Sequence, residues 1–117
     1  MGATVRSLAP EHDVVEARFF GVNTREEIEQ AFAECLALAL ELDTWLLLAD
    51  CTDLAYAPPI SDLKDLVDAL AALGVTDRFR EALVRPLDVT AAVSVGFWAT
   101  AGANRGLAME LFRDRDE

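Results

Sequence analysis

Histidine is almost missing from this 117-residue chain, with His12 the only one. Most chemistry that needs an imidazole goes with it, because a Ser-His or Cys-His pair requires that base beside its nucleophile. His12 lies between Glu11 and Asp13 in an expected turn, where an exposed, idle ring is the plain reading. Cysteine is scarce as well. Cys35 and Cys51 form no C-x-x-C and lie in apolar segments, where a thiol behaves as a small hydrophobe. A reducing cytoplasm is the expected compartment. Clusters of metal ligands are also missing. Asp50-x-x-Asp53 supplies two carboxylates, but no Asp-x-Asp-x-Asp-Gly run surrounds them and no glutamate closes a loop. Gly96, Gly102 and Gly106 fit neither G-x-G-x-x-G nor G-x-x-x-x-G-K, so no cradle for nucleotide phosphates is expected. The expectation is a chain without metal or cofactor.

Positive charge is short. Ten bases face 21 acids, for a net charge of −11. Nucleic acid is thereby an unfavourable partner, since Lys and Arg must replace counterions along the phosphates. An anionic membrane surface is disfavoured on the same ground. Long apolar runs are missing too. Val89–Asn104 is the longest stretch without a charge, yet it is too short and too rich in Gly, Ser, Thr and Ala for membrane insertion. The opening MGATVRSLAPEHD lacks the apolar centre of a signal peptide. What is present is a hydrophobic content of 53%, enough to read residues 1–117 as one globular domain with one core.

Residues 4–8 and 13–20 read as two strands of a hairpin turning near Pro10, with Val15, Ala17 and Phe19 alternating against Glu16 and Arg18. Thr24-Arg25-Glu26-Glu27 matches the S/T-x-x-E capping box. Ile28, Phe32, Cys35, Leu36, Ala39 and Leu42 follow at spacings of three and four, predicting a helix to about Leu42. Residues 44–49 (TWLLLA) predict a central strand covered on both faces. Ser61 is read as the N-cap of a second helix ending at Gly74, with its stripe on Leu63, Leu66, Val67, Leu70 and Leu73. A short strand is expected over 82–85. Residues 88–104 fit a helical or an alternating pattern, and their length favours helix. Residues 107–112 predict a last strand, with a brief helix starting at Asp114. The order β-β-α-β-α-β-α-β implies an α/β fold: a mixed four-to-five-stranded sheet with an N-terminal antiparallel hairpin and helical crossovers.

The stretch LLLADCTDLAYAPPISDLKDL concentrates the candidate site residues. Cys51 falls at the expected end of the central strand, where open α/β sheets carry ligands. It has no base at hand and reads as a core thiol. Asp50 and Asp53 are expected to finish the strand and hydrogen-bond loop amides. Ser61 has two readings, a helix N-cap or a phosphoacceptor beside a helix dipole. Phe97-Trp98 could be core or the wall of a ligand pocket.

These features together resemble a family. A hairpin and first helix (TREEIEQAFAECLALAL) precede a buried strand ending in an acid (WLLLAD). A loop then enters a helix led by Ser61, and ALVRPLD and NRGLAMELF follow. The pattern resembles the STAS domains, and within them the SpoIIAA-like proteins related to bacterial anti-anti-sigma factors. The resemblance implies a cytoplasmic, non-enzymatic module that binds a protein partner, such as a regulatory kinase or a sigma-regulator-like protein. It also implies a contact surface on the 52–61 loop with Asp50, Thr52, Asp53 and Tyr56, and a switch by phosphorylation at Ser61. In place of the family's Asp-Ser-x-Gly the chain reads Pro58-Pro59-Ile60-Ser61-Asp62-Leu63. The family's final helix is expected to be short or absent here, leaving apolar surface for a homodimer. STAS folds also resemble Sec14-type lipid-binding domains in layout. The alternative expectation is therefore a small apolar ligand in a pocket lined by Phe32, Leu66, Leu70, Phe97 and Trp98.

Overall fold

The computed structural model describes residues 2–8, 11–74 and 78–114. Along the chain run β1 (Ala3–Ser7), β2 (Val15–Val22), α1 (Arg25–Leu42), β3 (Leu46–Tyr56), α2 (Ile60–Ala71), β4 (Arg80–Val84), α3 (Val89–Asn104) and β5 (Ala108–Phe112). The strands form one five-stranded sheet in sequential order. β1 pairs antiparallel with β2, and every later pair is parallel. The element order and the mixed α/β sheet match the expectation. The turn placed at Pro10 and the continuation of a helix beyond Asp114 lie outside the described residues.

Local chemistry starts and stops the helices. The Thr24 hydroxyl accepts from the Glu27 amide at 3.2 Å, and Glu27 Oε1 accepts from the Thr24 amide at 2.9 Å, completing the capping box. Glu27 Oε2 also accepts from the Gly2 amide at 2.8 Å, which ties the start of β1 to α1. These backbone donors hold the Glu27 carboxyl below its usual range. Asp43 closes α1 in the left-handed region at φ 51°. At α3, Asp88 Oδ2 accepts from the Ala91 amide at 2.9 Å. A cap at that point decides the ambiguous 88–104 segment in favour of helix. Farther along, α3 approaches β5 so closely that a Cβ on Gly102 would lie 2.5 Å from Met109 Cε.

All three helices lie on the same face of the sheet. Val15, Ala17, Phe19, Leu47, Ala49, Cys51 and Leu83 point from that face into one core, where they meet Ile28, Ala31 and Cys35 of α1, Leu63, Val67 and Leu70 of α2, and Ala91, Val95 and Trp98 of α3. The expectation of a central strand covered on both faces is thus corrected. Each crossover leads to the adjacent strand in the same direction and with the same hand, so each helix returns to the same side. The opposite face of β2, β3 and β4 carries Glu16, Arg18, Leu48, Asp50, Thr52, Ala82 and Val84, with no described helix over it.

Candidate functional site

β3 runs on to Tyr56, well past the predicted end at Ala49. Asp50, Cys51, Thr52 and Asp53 are therefore strand residues, and the loop expected over 52–61 shrinks to Ala57, Pro58 and Pro59. The polar side chains find partners along the strand itself. Thr52 donates to Asp50 Oδ1 from its hydroxyl at 2.6 Å and from its amide at 3.1 Å. Arg18 on β2 stands 4.0 Å from Asp50 and 3.4 Å from Asp53. The two acids so share one guanidinium on the sheet face away from the helices.

Ser61 is not the N-cap. Pro59 holds that position with φ −54° and ψ 153°, Ile60 opens the helix, and no side-chain cap bond forms. The proline ring presets a backbone that leads directly into a helix, so the start moves upstream of the serine. Ser61 is exposed in the first turn. Its neighbour Asp62 is bound by Arg25 of α1 at 3.2 Å, and the same guanidinium reaches Asp65 and Glu29.

The C-terminal edge of the parallel strands carries an apolar rim. Val22 pairs in register with Tyr56, which is 55% exposed, and Ile60 follows on the first turn of α2. The Leu87 amide donates to the Thr52 carbonyl at 3.2 Å, placing the β4–α3 connection beside β3. Leu87 and Val89 are each 80% exposed there. The loops that follow the parallel strands β2, β3 and β4 all emerge at this edge.

Beneath the edge lies a cavity of about 50 Å³, walled by Phe19, Phe32, Leu54, Ala57, Leu63 and Trp98 among others. Its one acidic group is Glu81 of β4, a residue that the sequence reading did not single out. Trp98 Nε1 donates to Glu81 Oε1 at 2.9 Å. Glu81 Oε2 is buried and has no hydrogen-bond partner among the described residues. Burial pushes the Glu81 carboxyl up to about 7, against the opposing pull of the Trp98 hydrogen bond. A signal was available: in Arg80-Glu81-Ala82-Leu83-Val84 a period of two places Glu81 on the same face as core Leu83.

Four of the five predicted pocket residues line one or both of two spaces. Phe32 and Trp98 line the cavity, and they also line a surface groove of about 360 Å³ between α1 and α2, together with Leu66 and Leu70. Phe97 packs on the core and lines neither space, because one residue along the helix turns it away from Trp98. The Phe32 and Trp98 rings stack with centroids 5.2 Å apart, at the boundary between cavity and groove.

The thiols are unsuited to nucleophilic attack. Burial, reinforced by the charges of Glu81 and Glu34, pushes the Cys35 thiol up to about 12. Burial also raises Cys51, with Glu81 and Asp50 adding to the effect. His12 is exposed. Among the described residues no group of three His, Cys, Asp or Glu side chains could hold a metal ion, and no helix is long and apolar enough to cross a membrane. Comparison of the chain with protein-family models, curated proteins and solved structures finds no match.

Proposed function

We propose that the chain is a non-enzymatic regulatory module of the anti-anti-sigma STAS type, docking a protein partner on the C-terminal edge of its parallel strands. The observation that carries this reading is the apolar rim of Val22, Tyr56, Ile60, Leu87 and Val89. Several exposed apolar side chains at the edge where the loops after the parallel strands collect support recognition of another protein. Exposed Ser61 borders the rim on α2, where added negative charge would meet the helix dipole and alter the docking surface. The STAS likeness supports a cytoplasmic partner of the regulatory-kinase or sigma-regulator kind. A second copy of the chain is the other partner of suitable chemistry.

Affinity capture from an extract of the source cells tests the reading with three proteins: the wild type, the double variant Tyr56→Asp/Leu87→Asp, and Leu40→Asp. Leu40 is exposed on α1 and serves as the control. Partners held by the wild type and Leu40→Asp, but lost by the double variant, support it. Equal retention by all three overturns it.

A second reading, a small apolar ligand held in the core, is favoured by the cavity behind Phe32 and Trp98. A soluble domain of this size rarely leaves an apolar space beside a buried carboxyl with an unused oxygen.

A further inference from the structure

Two features of the cavity bear on what it would hold. Its walls are apolar apart from Glu81 and the half-buried Ser94. Its unsatisfied polar atom is an acceptor, Glu81 Oε2. A buried acceptor without a donor costs about 1–3 kcal/mol, and more when charged, so an occupant that supplies an N–H or O–H recovers that energy. The cavity of about 50 Å³ has room for roughly three to five water-sized spheres. It is smaller than the space of about 150 Å³ that admits a benzene ring. A short aliphatic group with one donor at its end fits these dimensions.

We propose that the cavity is a binding site for a small aliphatic amine, whose ammonium N–H donates to Glu81 Oε2 while its carbons rest among Phe19, Phe32 and Trp98. The inference rests on the second reading above and adds the chemical class. A cation is selected over a neutral donor for three reasons. An N⁺–H···O⁻ bond is about twice as strong as a neutral one. The aromatic residues Phe32 and Trp98 in the wall offer polarisable surface that compensates part of the lost hydration of an ammonium. The net charge of −11 raises the local concentration of cations and lowers that of anions. A carboxylate ligand would meet Glu81 with like charge.

The titratable groups coupled to Glu81 are the thiols of Cys35 on α1 and Cys51 on β3, both neutral at physiological pH. α3 contributes the Trp98 donor. Among the described residues no basic side chain lines the cavity to compete for Oε2.

The test is a titration of the full-length protein with n-propylamine, 1-propanol and propionate, followed at the Trp98 indole N–H by NMR. At pH 8 the amine is expected to give a saturable shift, with affinity at least about tenfold above the alcohol. That affinity should fall as the pH is lowered to 5 and Glu81 takes up its proton, and it should be lost in Glu81→Gln. Equal affinity for amine and alcohol, binding of propionate at the level of the amine, or undiminished amine binding by folded Glu81→Gln overturns the amine proposal while sparing the second reading. No saturable shift with any of the three probes overturns both. The pH series on the wild type keeps the test decisive if the variant does not fold.

Discussion

Trp98 reaches across the core from α3 to give its indole N–H to Glu81 on β4, a 2.9 Å bond at the centre of the space between helices and sheet. The bond satisfies the indole and one carboxyl oxygen, and leaves the other oxygen unpartnered on a residue that lines an apolar cavity. A buried acid in that position makes stability depend on pH in an unusual direction.

The Glu81 carboxyl is raised from 4.5 in the unfolded chain to about 7 in the folded one. The folded state therefore binds the extra proton, and the contribution of this group is most favourable below pH 4.5. It declines as pH rises through that value and levels off above about 7, after a loss on the order of 3 kcal/mol. Urea unfolding of Glu81→Gln should lack this decline, leaving the variant more stable than wild type at pH 8 and similar at pH 4.5. Parallel pH profiles for the two proteins would contradict the assignment.

Removing the donor has the opposite consequence. Trp98→Phe retains a ring to pack on Phe32 but leaves Glu81 Oε1 without its partner, at a cost of about 2–3 kcal/mol at pH 8. The cost should shrink toward pH 5, where the carboxyl is neutral. A loss independent of pH, measured by urea unfolding, would mean that only packing is affected.

The helix starts give a matched pair. Thr24→Ala removes a hydroxyl that caps α1 and should cost about 1 kcal/mol. Ser61→Ala removes an exposed hydroxyl that caps nothing, and should change stability by less than about 0.5 kcal/mol. A Ser61→Ala cost equal to that of Thr24→Ala in thermal unfolding would restore the capping role to the serine.

Both thiols should resist a mild thiol reagent in the native protein at neutral pH. Burial keeps them protonated and out of reach, so modification of Cys35 and Cys51 should follow the opening of the fold. Fast, stoichiometric labelling of Cys51 alone would contradict this and revive a reactive role.

The sequence made the frame readable where local chemistry and periodicity agreed. The capping box at Thr24 and the apolar stripe of α1 fixed the first helix, and alternation fixed β2. The end of β3 was obscured because Asp50, Thr52 and Asp53 resemble loop residues until Arg18 on the neighbouring strand is seen to pair with the acids. Ser61 drew attention as a cap because serine favours that position, yet Pro59 had already set the backbone there. Phe32 and Trp98 line both cavity and groove, whereas Leu66 and Leu70 line the groove alone, a separation that depends on how α1, α2 and α3 pack. Glu81 was open to discovery by counting in twos from Leu83. Charged residues are so seldom buried that composition alone points away from it.

The most direct test of the buried acid is a titration of the Glu81 carboxyl carbon by NMR, repeated with n-propylamine present. A midpoint near 7 that moves down when the amine is added, with the Trp98 indole signal following the same curve, is the expected result. A midpoint near 4.5, unmoved by the amine, would contradict both the burial of Glu81 and the site built on it.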